Sequence, residues 1–220
     1  MADTAIIDVD GTLVDTNYQH AVAWFRAFAR VGLVVPVWQI HSRLGMGGDK
    51  LVESVAGPRV ERLHGDDVRD LWAKEFEDSF LYEVQAVEGA GELLDEIRRR
   101  GFKLVLASSG KPEHVEHFLD VLDAHDRADA WTSSDDVAAT KPAPDLLSVA
   151  LEKVGGDNGA VVGDSPYDFE AARRLGMPAV GLRTGGFCVA ELTTAGAEQV
   201  FDSPNELREH LDRTALAHPR

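Results

Sequence analysis

Four short segments carry side chains that could do chemistry together. Asp8 and Asp10 stand two residues apart at the end of the apolar run Ala5-Ile6-Ile7, and Gly11 and Thr12 follow them. Ser108 and Ser109 follow the apolar run KLVLA at 103–107. Lys141 precedes Pro142 in a loop, and Asp164 follows Ala160-Val161-Val162, with Asp168 three residues beyond Ser165. An acid at the end of an apolar strand is costly to bury, so these carboxylates point to a task rather than a turn. Crowded carboxylates raise one another's pKa. A hard divalent cation relieves that, and a set of oxygen ligands favours Mg²⁺ over zinc. A lysine with hydroxyls and backbone N–H groups suits a phosphoryl group. A carboxylate facing a metal-bound phosphate can attack phosphorus. A second carboxylate two residues along a strand points to the same side and can act as acid and then base.

These residues must be carried by a frame that brings them to one edge. The apolar runs at 5–7, 103–107, 160–162 and 178–182 read as buried strands, with a weaker one near Ala130-Trp131-Thr132. Between them lie helical patterns at 92–100, 144–154 and 169–175. Strands alternating with helices of about ten residues predict βαβ units, hence an α/β fold with a doubly wound, Rossmann-like parallel sheet covered on both faces. Ligands of such sheets bind beyond the carboxyl ends of the strands, where all four segments would meet. From Thr16 to about Val87 there are helical patterns and no convincing strand. Val22, Phe25, Phe28 and Ala29 line a helix that Thr16 or Asn17 could cap, and Pro36 demotes Leu33-Val34-Val35 as a strand. The expected organisation is therefore a core of 1–15 and 88–220 with an all-helical insertion of 16–87.

Composition sets outer bounds. The 220 residues are 44% hydrophobic and 27% charged, which is ordinary for a globular chain and excludes wholesale disorder. The 38 acids against 22 bases leave a formal charge of −16, which disfavours nucleic acid and acidic membrane surfaces as partners. Cys188 is the single cysteine, so no intrachain disulfide forms. No apolar run approaches the roughly 20 residues of a membrane span. The start MADTAIIDVDG lacks a basic flank and meets acid at once, so no secretory leader is expected and a cytoplasmic location is. A small phosphorylated metabolite is the expected partner, with the chain a monomer or homodimer.

Together the four segments resemble the haloacid dehalogenase superfamily. DVDGTLVD at 8–15 is similar to its first motif, Ser108 after KLVLA to its second, Lys141 in TKPAPDLL to its third, and Gly163-Asp164-Ser165 with Asp168 to its fourth. The insertion after the first motif resembles the helical cap of the first type. The likeness spans essentially the whole chain and is strongest to the group of phosphoglycolate phosphatases and beta-phosphoglucomutases. It implies Asp8 as nucleophile and Asp10 as acid/base, with the Asp10 backbone carbonyl, Asp8, Asp164 and Asp168 around Mg²⁺. Ser108, Ser109, Lys141 and the Gly11 turn would hold the phosphoryl group. The implied activity is hydrolysis of a small phosphomonoester, such as a sugar phosphate or phosphoglycolate, through an aspartyl phosphate.

The remaining expectations concern the insertion and the alternatives. His20, and Arg43, Met46 and Lys50 in RLGMGGDK, are candidate substrate contacts. His114 and His117 read as a solvated helix face, the four tryptophans as core, and Cys188 as without a role. A sugar-phosphate mutase is the main alternative, but Leu44 and Gly48 stand where that resemblance asks for basic residues. A dehalogenase would lack Asp10. Phosphonate cleavage needs a cap lysine, and only Lys50 and Lys74 are there. A phospho-accepting signalling domain would carry its aspartate on a later strand and no helical insertion.

Overall fold

A computed structural model describes residues 2–136, 141 and 143–219. The chain begins with β1 (Thr4–Asp8) and then runs through four helices: α1 (Asn17–Arg30), α2 (Val37–His41), α3 (Gly48–Ala56) and α4 (Pro58–Ser79). It continues as α5 (Ala90–Arg99), β2 (Lys103–Ala107), α6 (Pro112–Leu122), β3 (Ala130–Thr132) and α7 (Asp145–Val154). It ends as β4 (Gly159–Gly163), α8 (Pro166–Arg174), β5 (Ala179–Leu182), α9 (Val189–Ala195), β6 (Gln199–Phe201) and α10 (Pro204–His210). The six strands are parallel, in the order β3-β2-β1-β4-β5-β6. The chain winds outward from β1 on one side, then from β4 on the other. The point where strand order reverses therefore lies between the ends of β1 and β4, where Ile7 pairs with Val162.

Alternation along the strands builds a core on each face. Ala5 and Ile7 of β1, with Leu104 and Leu106 of β2 and Ala160 and Val162 of β4, join the apolar residues of α5, α6 and α10. Ile6, Val105 and Val161 face the other way, onto α7, α8 and α9. Both faces of the sheet are covered, which is why the strands read as unbroken apolar runs. The helix expectations fit this frame. In α5, Ala90, Leu93, Leu94 and Ile97 are buried, two arginines occupy the last turn, and Gly101 at φ 94° turns the chain out.

The helical insertion has its own apolar cluster, built from Trp24, Phe28, Ile40, Leu51, Val52 and Val68. Trp24 of α1 stacks on Trp72 of α4 with ring centroids 4.6 Å apart. Glu75, buried on α4, receives hydrogen bonds from Arg26 and Arg30 of α1 at 2.7 and 2.8 Å. The chain leaves and re-enters the sheet domain through a paired stem. Asp15 N–H donates to Gln85 O at 3.0 Å, Val87 N–H donates to Leu13 O at 2.8 Å, and Val14 bridges Ala86.

Several expectations need correcting. β6 was not anticipated, because three half-buried residues at a sheet edge leave no readable period. Trp38 lies exposed on the five-residue α2 instead of in a core. Thr16 sits at the α1 N-cap position, but its hydroxyl accepts a hydrogen bond from Gly11 N–H at 3.0 Å, not from the helix. That bond belongs to a tight turn in which Gly11 adopts φ 77° and a Cβ would meet the Asn17 side chain at 2.6 Å. Gly11→Ala is accordingly expected to destabilise the protein by about 1–3 kcal/mol. Urea unfolding reads this directly, and an unchanged midpoint would show that the turn tolerates a side chain.

Candidate active site

Asp8, the last residue of β1, and Asp164, the first beyond β4, meet at the reversal of strand order, and both are buried. Thr12 sits between them, its hydroxyl 2.8 Å from Asp8 Oδ2 and 2.8 Å from Asp164 Oδ1. A hydroxyl has one proton to donate, so one of the two carboxyls must supply a proton or a cation must take its place. The second Asp164 oxygen accepts from Asn17 Nδ2 at 2.8 Å, and the same amide reaches Gly185 O at 3.1 Å. Gly185 packs so tightly against Asp164 that a Cβ there would overlap the carboxylate.

Lys141 is buried and pairs with Asp8 Oδ1 through a short hydrogen bond. Its Nζ also lies 2.7 Å from Asp168 Oδ1. Asp168 Oδ1 is buried, and this ion pair is its contact among the described residues. The other Asp168 oxygen closes a capping box at the start of α8, accepting from Ser165 N–H at 3.0 Å and Ser165 Oγ at 2.7 Å. Asp168 therefore both caps its helix and faces the cluster. Thr140 and Pro142, beside Lys141, lie outside the described residues.

Burial pushes the Asp8 carboxyl up to about 7, against the pull of Lys141 and with the push of Asp168 and Asp10. Burial also drives Asp164 well above the usual carboxylate range, reinforced by Asp8 and Asp168. For Lys141 burial works downward, but Asp168 and Asp8 hold the ammonium above its ordinary value. Three buried carboxylates thus share one ammonium. Asp8, Asp164 and Asp168 offer ligand oxygens that all lie within 4.8 Å of one another. A hard divalent cation fits this donor set: it supplies the positive charge that three carboxylates and one ammonium lack.

Asp10 stands at the mouth of the same cluster. Its carboxylate accepts from Ser108 Oγ at 2.9 Å and meets His20 Nε2 of α1 at 3.3 Å. Burial alone would raise Asp10, but His20, Ser108 and Lys141 hold it below the usual range. Ser108 is fixed in turn by Gly110 N–H donating to its hydroxyl at 3.0 Å, and Thr132 Oγ1 donates to its carbonyl at 3.1 Å. Over these groups lies a cavity of about 90 Å³, walled by Asp8, Asp10, Ser109 and Lys141 below and by the helical insertion above.

The expected residues divide accordingly. Asp8, Asp10, Ser108, Lys141, Asp164 and Asp168 converge, while Ser109, His20 and Met46 line the cavity. Gly11 shapes the turn, but its N–H already donates to Thr16 Oγ1 and Val14 O. Arg43 and Lys50 are not among the cavity-lining residues. Leu44 bridges Met46 and both reach the cavity, which leaves Arg43 exposed. His114 is corrected outright. It is buried rather than solvated, lines the cavity, and meets Glu77 of α4 at 3.2 Å, where Lys111 also donates at 2.9 Å. Burial pushes its imidazole pKa down, and Glu77 opposes that shift. In sequence Thr12 and Asn17 look only like motif and cap residues. Their place at the carboxylates depends on how β4 approaches β1.

Residues 2–176 match the protein family described as haloacid dehalogenase-like hydrolase. The chain belongs to that family. A validoxylamine A 7'-phosphate phosphatase from Streptomyces hygroscopicus subsp. limoneus is 30% identical, over 92% of each chain. A phosphoglycolate phosphatase from Cupriavidus necator is 27% identical, over 96% of this chain and 94% of its own. A crystal structure of a hydrolase from Pseudomonas syringae superposes with a TM-score of 0.89 at 32% identity, covering 96% of this chain and 98% of that one. In this hydrolase, no helix among the described residues is long and apolar enough to cross a membrane.

The insertion rests directly on the hydrolase's sheet domain. Tyr167 Oη donates to Ser42 O at 3.2 Å, and His41 Nε2 donates to Gly185 O at 2.9 Å. Gly45, at φ 94°, packs on Ser165 where no Cβ would fit.

Proposed function

We propose that this hydrolase is a Mg²⁺-dependent phosphatase acting on a small phosphomonoester, of the sugar-phosphate or phosphoglycolate kind, through an aspartyl phosphate. One observation carries the reading: the ends of β1, β2 and β4 and the Lys141 loop converge on a single buried cluster of carboxylates, ammonium and hydroxyl under one cavity. Its relatives among phosphatases support it.

Mg²⁺ held by Asp8, Asp164, Asp168 and the Asp10 carbonyl would neutralise charge on the phosphoryl oxygens. Lys141 holds Asp8 ionised and oriented and meets a phosphoryl oxygen, while Ser108 turns its hydroxyl from Asp10 to another. Asp8 Oδ attacks phosphorus and the bond to the leaving oxygen breaks. Asp10 gives that oxygen its proton. The phosphoryl group's added negative charge and the loss of the Ser108 hydrogen bond raise Asp10 toward a protonated acid. Asp10, now a base, takes a proton from the water that cleaves the aspartyl phosphate, releasing phosphate and restoring Asp8.

In this reading residues 16–87 act as a cap that opens at the Leu13–Asp15 and Gln85–Val87 stem and closes through Gly45, His41 and Glu77. The setting is the cytoplasm. A mutase would need to hold a second phosphoryl group in the cavity, and the described lining offers no free cation for it.

Phosphate release from p-nitrophenyl phosphate and a panel of phosphomonoesters tests the proposal. Release is expected with Mg²⁺, with loss of at least about 100-fold in EDTA. Equal release in EDTA would remove the metal from the mechanism, and no release with any ester would remove the phosphatase.

A further inference from the structure

The cavity over Asp8 and Asp10 differs sharply between floor and walls. The floor is anionic, with Asp8 and Asp10, and its single ammonium, Lys141, is engaged by Asp8 and Asp168. The walls are Leu44, Met46, Leu51, Trp24 and Trp72, together with the imidazoles of His20 and His114. His20 meets Asp10, and His114 meets Glu77. Among the described lining residues there is no other lysine and no arginine, and each of the two imidazoles faces a carboxylate. The loop on either side of Lys141 adds none, since residues 137–140 and 142 are Val, Ala, Ala, Thr and Pro.

A leaving group bearing a carboxylate or a second phosphate would enter this space beside two aspartates and meet no ammonium or guanidinium on the described walls. An unpaired, desolvated charge of that kind is a strong ground for rejection. An uncharged carbon skeleton meets the opposite situation. Its C–H face can lie on the apolar walls, as indole and imidazole rings favour.

We infer that the substrate is the phosphomonoester of an uncharged carbon skeleton, and that phosphates of hydroxy acids and bisphosphates are rejected. This rests on the phosphatase reading above and chooses between the two substrate kinds named there.

Matched pairs that differ in one charged group test the inference on the full-length enzyme with Mg²⁺. Glycerol 3-phosphate is compared with 3-phosphoglycerate, and glucose 6-phosphate with 6-phosphogluconate and glucose 1,6-bisphosphate. p-Nitrophenyl phosphate is the reference for phosphatase activity as such. The uncharged member of each pair is expected to have a kcat/KM at least 10-fold higher. Met46→Arg, which places a guanidinium in the wall, is expected to narrow that ratio by at least 10-fold. If p-nitrophenyl phosphate is turned over but the acidic members are used equally well or better, the inference is overturned and the phosphatase reading stands. A ratio unmoved by Met46→Arg would also overturn the role given to wall charge. If no ester is hydrolysed, p-nitrophenyl phosphate included, the phosphatase reading falls and takes the inference with it.

Discussion

Asp8→Asn is expected to lower phosphate release by on the order of 10⁴–10⁶-fold, the scale of losing a catalytic nucleophile, while making the metal-free protein more stable at neutral pH. The first effect follows because an amide cannot form the aspartyl phosphate. The second follows from linkage. Burial raises the folded-state pKa of Asp8 from 3.8 to about 7, so the fold prefers the neutral carboxyl. Stability from that preference is fully present below about pH 4 and is lost as pH rises through 7. Asparagine resembles the neutral form at every pH and escapes the loss. In EDTA the melting temperature of the variant should therefore exceed that of the wild type by several degrees at pH 8, and by much less at pH 5. His114, which owes nothing of its shift to Asp8, titrates alike in both proteins, while Asp164, raised partly by Asp8, rises less in the variant and adds to the gain at high pH. Mg²⁺ should raise the wild-type melting temperature more than that of the variant. Activity near wild type would end the nucleophile assignment. A melting difference that did not grow with pH would mean that Asp8 is ionised in the metal-free fold.

The sequence reveals residues whose type conflicts with their local setting, and conceals residues whose role depends on what packs over them. Asp8, Asp10 and Asp164 stand out because acid follows an unbroken apolar strand, which is costly without a purpose. The strands themselves are legible because a sheet covered on both faces needs apolar residues at every position. His114 is concealed for the opposite reason. Lys111, Glu113 and Glu116 around it suggest a wetted helix face, and only the docking of Phe76 and Glu77 from α4 buries it. Asn17 looked like a cap residue because Asn begins many helices. The approach of β4 and Gly185 turns its amide onto Asp164. Arg43 was drawn toward substrate by its charge and neighbouring glycines, yet the alternation Leu44, Met46 sends it outward. The misses at His114 and Asn17 are tertiary contacts between segments far apart in the chain, which no local pattern encodes.

Lys141→Met should have the largest effect on stability. Lys141 is the single ammonium among Asp8, Asp164 and Asp168, and it contacts two of them directly. Methionine keeps much of the side chain's length and apolar stem but removes the charge. The variant would then hold three buried carboxylates with Thr12, Asn17 and Ser165 as their donors among the described residues. Removing one partner from a buried ion pair costs about 3–5 kcal/mol, or roughly 6–20 °C in melting temperature for a domain of this size. The loss should be largest in EDTA at pH 8, where the carboxylates most need a counter-charge. It should shrink at pH 5 as Asp8 and Asp164, both raised by burial, take up protons. It should shrink again with millimolar Mg²⁺, because a divalent cation replaces the missing charge. Neither remedy should restore turnover, since the cation that orients Asp8 and meets the phosphoryl oxygen is gone. A neutral cavity mutation would show the same melting loss at every pH and metal concentration. That flat profile would show that Lys141 serves packing alone, and would remove the electrostatic reason for a metal among the three aspartates.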